Sequence, residues 1–98
     1  MNKQWEVYTV ILLKKGDVIT SNEIAEKCNT NTVYVRKIIN QLRSIGIPIC
    51  STKKGYYYSE EKSEISKTID FLESRIKTQL EAMEGLKKIL KKRGGHNE

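Results

Sequence analysis

Apolar positions along the chain fall into three short helical clusters, three brief extended runs and one long stripe. Between Lys3 and Lys15, Trp5, Tyr8 and Leu12 recur at i, i+3 and i+7, and Val7 and Ile11 at i, i+4. That spacing predicts a helix with an unusually wide apolar face, stopped by Gly16. Val18-Ile19 reads as a short extended piece. Ser21 is suited to cap a short helix over Asn22 to Cys28, because its hydroxyl accepts from the unpaired amides of a first turn. Ile24, Ala25 and Cys28 then face inward. After the polar turn Asn29-Thr30-Asn31, Asn31 is placed to cap a third helix, Thr32 to Ile45. Val35, Ile38, Ile39, Leu42 and Ile45 are its inward positions, at a steady three-to-four spacing. Gly46 ends it and Pro48 blocks continuation.

Two β-like runs follow, Ile47 to Ser51 and Tyr56 to Tyr58. Thr52-Lys53-Lys54-Gly55 joins them, with Gly55 suited to positive φ in a hairpin turn. Alternation puts Tyr57 on the opposite face from Tyr56 and Tyr58. From Glu60 to Arg93 one long helix is expected, about 50 Å at about 1.5 Å per residue. The fold class is therefore mainly α with a small β-hairpin wing: a winged helix-turn-helix followed by a long, coiled-coil-like helix. The expected division is residues 1–59 as the winged head, 60–93 as the helix and 94–98 as a disordered tail.

The run "NEIAEKCNTNTVYVRKIINQLRSIGI" and the wing "STKKGYYYS" resemble the N-terminal winged-helix domain of biotin operon repressors. The short helix with Ile24-Ala25, the "VRKIINQLRSIG" helix and the Lys-Gly-Tyr at the second wing strand carry the likeness. With the first helix it covers residues 5 to 59. Cys28-Asn29 stands where many relatives have a Leu-Gly turn. The resemblance implies a DNA-reading head. No counterpart of the ligase domain of those repressors is expected, so biotin chemistry is not implied.

Charge sharpens this picture. The chain of 98 residues carries 18 Lys and Arg against 12 Asp and Glu, a net +6. That excess favours an anionic partner. Its distribution says more than its size. Between Glu26 and Glu60 there is no Asp or Glu, while Lys27, Arg36, Lys37, Arg43, Lys53 and Lys54 all lie there. From Glu61 to Glu84 acids outnumber bases, and Lys87 to Arg93 is basic again. A stretch kept clear of carboxylates across the third helix and the wing suits a phosphate backbone.

The outward positions of the third helix, Thr32, Val33, Arg36, Lys37 and Asn40, suit the major groove, where base edges differ in donors, acceptors and the thymine methyl. Arg36 is matched to guanine, Asn40 to adenine and Val33 to a thymine methyl. Asn31, Thr32 and the helix N-terminus suit a phosphate. Lys53 and Lys54 at the wing tip add backbone or minor-groove contacts that carry affinity more than sequence. Tyr34 reads either as packing on the short helix or as a phosphate donor.

In the long helix Ile65, Ile69, Leu72, Ile76, Met83, Leu86 and Leu90 follow alternating four-three spacing, with Gln79 where another apolar residue would fall. Phe71, Leu80 and Ile89 lie off this seam. Such a stripe needs a partner, most simply a second copy, and a dimer matches an inverted-repeat DNA site. Charges beside the seam are too few to set parallel or antiparallel pairing.

The remaining classes find little support. No catalytic set, phosphate-binding loop or metal-ligand cluster is present, so neither an enzyme, a cofactor, a metal nor a small-molecule ligand is expected. No run approaches the length of a membrane span and no secretory leader is read. Cys28 and Cys50 form no paired motif and read as reduced structural thiols in a cytoplasmic protein. The expectation is a small dimeric, sequence-specific double-stranded-DNA-binding protein: a prokaryotic, phage or plasmid transcriptional regulator acting by site occupancy. Two alternatives remain: an architectural or replication-origin DNA-binding protein, and a winged-helix adaptor or inhibitor whose long helix docks on another protein.

Overall fold

The computed structural model describes residues 2–94, with side chains as far as residue 92. His96 and residues 95–98 of the expected tail lie outside the described residues. The elements are α1 (Lys3–Leu12), α2 (Ser21–Lys27), α3 (Thr32–Ser44), β1 (Ile49–Thr52), β2 (Gly55–Tyr58) and α4 (Lys62–Gly94). This is a winged helix-turn-helix with a long following helix, as the periodicity predicts. The chain divides into two compact units, Met1–Thr68 and Ile69–Glu98, so the first turns of α4 belong to the first unit.

The core of the first unit is built from one stripe of each helix. Val7 and Ile11 of α1, Ile24, Ala25 and Cys28 at α2, and Val35, Ile38, Ile39 and Leu42 of α3 are all buried. Ile19 and Ile49 close it from the extended segments, and Tyr8, Val10, Ile47, Tyr56 and Tyr58 pack around it. On α1 the apolar face is wider than the core uses: Trp5 and Leu12 stay exposed, as does Leu13 at its C-cap. Cys28 and Cys50 are buried free thiols, and burial pushes the Cys28 thiol above its ordinary pKa.

The starts of the first three helices each have a local cause. Asn2 accepts from the Gln4 amide at 2.9 Å, and Asn31 from the Tyr34 amide at 2.9 Å. The cap of α2 is Thr20 rather than Ser21. Its hydroxyl accepts from the Glu23 amide at 3.1 Å while the Glu23 carboxylate accepts from the Thr20 amide at 3.1 Å. This reciprocal box satisfies two unpaired amides at once, whereas Ser21 is already helical.

Two further expectations shift. α1 ends at Leu12, and Lys15 and Gly16 take positive φ in the turn beyond, so the break falls before Gly16. Ile45 is 66% exposed rather than inward. α3 stops at Ser44, and the Ile47 amide donates to the Leu42 carbonyl at 3.1 Å. The chain therefore turns at Ile45-Gly46, and Ile47 packs on the core instead.

The hairpin is tighter than the sequence suggests, with only Lys53 and Lys54 between the strands. Antiparallel pairing runs Ile49↔Tyr58, Cys50↔Tyr57, Ser51↔Tyr56 and Thr52↔Gly55. Ile19 adds a bridge on the far side of β2, exchanging both backbone hydrogen bonds with Tyr56 at 2.8 Å. Gly55 is required here. A Cβ at this position would overlap the Ile19 carbonyl, with Ile19 C at 2.8 Å, and its φ is +156°.

The stripe on α3 is the shared wall of this core. Ile38→Ala should therefore cost about 2–5 kcal/mol, from lost burial plus a cavity among α1, α2 and α3. Chemical denaturation checks this, and a change below about 1 kcal/mol would place Ile38 outside the core.

Candidate nucleic-acid interface

Because α3 buries Val35, Ile38, Ile39 and Leu42, the opposite side of the helix faces solvent. Val33 is 69% exposed there, and Arg36, Lys37 and Asn40 are exposed beside it. Thr32 is half-buried at the first turn. Asn31 sits at the helix start, but its carbonyl oxygen is occupied by the Tyr34 amide. What remains for a ligand is its side-chain NH2 together with the helix N-terminus. Tyr34 is exposed. Lys53 and Lys54 are exposed at the hairpin tip, where the Lys54 amide donates to the Thr52 hydroxyl at 3.0 Å and tightens the turn.

The electrostatics of this surface are one-sided. Among the described residues, ion pairs join Lys3 to Glu6, Lys67 to Glu64 and Lys87 to Glu84. Arg36, Lys37, Lys53 and Lys54 take part in none of these. Their charge is thus left to solvent and to any anion that binds. Glu23, whose carboxyl is held below the ordinary range chiefly by the Thr20 amide, is committed to the α2 cap.

Arg43 departs from the pattern. By spacing it shares the Arg36–Asn40 side of α3, and the sequence counts it with the basic surface. Its side chain instead turns to the wing. Nε donates to the Ile49 carbonyl at 2.7 Å and Nη2 to the Ser51 hydroxyl at 3.1 Å. The guanidinium also lies 5.8 Å from the Tyr56 ring centroid, and burial lowers its pKa.

The first turns of α4 hold the wing as well. The Ser51 amide donates to the Thr68 hydroxyl at 3.2 Å, and Thr68 is itself buried. Tyr57, on the face away from the core as alternation predicts, donates its hydroxyl to Glu64 at 2.7 Å. Sequence reading missed Arg43, Glu64 and Thr68 because each acts on a different element from its own, which spacing within a helix does not reveal. The one sequence signal was the position of Arg43 in the last turn of α3, close to where Pro48 sends the chain into the hairpin.

In the second unit the apolar residues of α4 differ in exposure. Ile69, Ile76, Met83, Leu86 and Leu90 are exposed, between 48% for Met83 and 71% for Leu90. Leu72 is half-buried, as is Ile65 in the first unit. Leu80 and Ile89 are exposed beside the stripe. Phe71 is half-buried, with the Arg75 guanidinium 5.8 Å from its ring centroid. Among the described residues no helix is long and apolar enough to cross a membrane.

Compared with known protein families, residues 6–57 match the family described as an HTH domain. That span runs from α1 through β2 and takes in just over half of the chain. Comparison with curated proteins and with solved structures gave no match.

The Tyr57–Glu64 bond has a measurable consequence. The hydroxyl holds the Glu64 carboxyl below its ordinary 4.5, with Lys67 adding to the effect, and the pairing pushes Tyr57 up to about 12. A depressed carboxyl stabilises the fold above its unfolded pKa, and that contribution is lost as pH falls through the folded value. A raised tyrosine contributes below its ordinary 10 and loses that contribution as pH rises through about 12. Tyr57→Phe should move the Glu64 pKa upward, read by carboxyl NMR titration. An unmoved value would mean that the hydrogen bond is not formed in solution.

Proposed function

The chain belongs to the HTH-domain family, and on that premise we propose that it is a dimeric, sequence-specific regulator that works by occupying a duplex DNA site. The observation that carries this reading is the exposed face of α3, continued by the wing tip, whose four cations have no acidic partner among the described residues. Arg36 reads guanine, Asn40 adenine and Val33 a thymine methyl, while Lys37, Lys53, Lys54 and the Asn31-Thr32 helix start take phosphates. The likeness of residues 22–59 to the head of biotin operon repressors supports an operator-binding role, in a prokaryotic, phage or plasmid setting.

The dimer rests on α4. A stripe of exposed Ile, Leu and Met at four-three spacing, on a helix of 33 residues, is apolar surface that monomeric proteins rarely leave open. Pairing two copies covers it and presents two heads, so the second head binds at high effective concentration. No catalytic step is assigned to this chain.

Duplex binding should weaken steeply with salt, through counterion release at several phosphates. Arg36→Ala should relax sequence preference by about 1–3 kcal/mol at one base pair. Lys53→Ala with Lys54→Ala should instead weaken all duplexes alike and lower the salt slope by about two units. Selection from a random duplex pool checks both and should return an inverted repeat. Recovery without sequence enrichment would favour an architectural role, and no duplex binding at low salt would refute the reading.

Sedimentation tests the pairing separately. The native chain should run as a dimer at tens of micromolar, and Ile76→Asp should give monomers that keep weak duplex binding. A native monomer would point the stripe to a different protein, as an adaptor would use it.

A further inference from the structure

We propose that Arg43 is a positioning residue of the DNA interface: it does not touch DNA, but fixes the wing lysines at the distance from α3 that lets both surfaces engage one duplex. The inference rests on the reading of α3 and the wing as a duplex-binding surface.

A hairpin of two four-residue strands is marginal alone in water. Its unpaired groups lie on its two outer edges, where alternate residues of an antiparallel pair turn N–H and C=O outward. Here both edges are partly satisfied. The outer edge of β2 is taken by Ile19 through Tyr56. The outer edge of β1 is taken by Arg43 at the Ile49 carbonyl and by Thr68 at the Ser51 amide.

Arg43 is the hydrogen-bond link on that edge from α3 itself. It holds β1 at two points, through Nε and Nη2, and lies over the Tyr56 ring of the paired strand. The planar fork of guanidinium donors sets an angle as well as a distance, which a single ammonium does not. Three of its contacts are therefore spent inside the protein, and the half-buried side chain is withdrawn from the face that carries Arg36 and Lys37.

The test uses the full chain in four forms: native, Arg43→Lys, Lys53→Ala with Lys54→Ala, and the triple variant. Arg43→Lys keeps the charge and loses the fork. It should lower duplex affinity and reduce the salt slope by about two units, as if both wing lysines had left the DNA. In that background the two lysine substitutions should have almost no further effect. In the free protein, amide exchange should quicken in β1 and β2 and stay unchanged in the middle of α3.

Independent losses, with the triple variant as weak as the product of the others, would overturn the proposal. So would an unchanged slope with the wing lysines still fully effective, as expected if Arg43 met a phosphate directly, a contact whose charge a lysine keeps. Unchanged hairpin exchange in Arg43→Lys would overturn it too. If the lysine substitutions have no effect in the native background, the wing reading fails and the role of Arg43 goes with it. If they weaken binding equally in both backgrounds, only the Arg43 proposal falls.

Discussion

The inner stripe of α3 is the constraint from which the rest of the head follows. Val35, Ile38, Ile39 and Leu42 form the wall against which α1, α2 and β1 pack. At 3.6 residues per turn, burying those four fixes the rotation of the helix about its axis. Val33, Arg36, Lys37 and Asn40 are then left facing water, whatever their own preferences. The candidate reading surface is thus a by-product of core packing. A change in the core would shift that face without touching a residue on it.

The wing obeys a second constraint. Its strands are too short to stand alone, and their outer edges carry unpaired backbone groups. Ile19, Arg43 and Thr68 each satisfy one part of that edge, from three different segments of the chain. Gly55 permits the closest of these approaches, because any side chain there would meet the Ile19 carbonyl. The hairpin tip is therefore held as part of the head, and Lys53 and Lys54 are presented from a fixed base.

Much of this was legible in the sequence because helical periodicity is a local signal. The order of elements, the buried stripe of α3, the cap at Asn31 and the placement of Tyr57 all follow from apolar spacing together with turn and capping residue types. Where the reading slipped, a second local rule competed. Thr20 and Glu23 form a reciprocal cap visible as Thr-x-x-Glu, yet Ser21 is an equally good capping residue by type. Ile45 continues the apolar spacing one step past the end of α3, where the turn at Gly46 takes over. Arg43 was not legible, because composition counts a charge but does not say which backbone carbonyl the folded chain brings to it. The four-three spacing on α4 is visible in the sequence, whereas spacing does not name what would cover it.

The claim that α3 and the wing tip together form the DNA surface is tested most directly by amide NMR of the intact chain. The labelled protein would be titrated with a short mixed-sequence duplex at low salt. The account predicts that signals of Val33, Arg36, Lys37, Lys53 and Lys54 move together and return as salt is raised. Shifts confined to α1 or α4, with α3 unmoved, would contradict it.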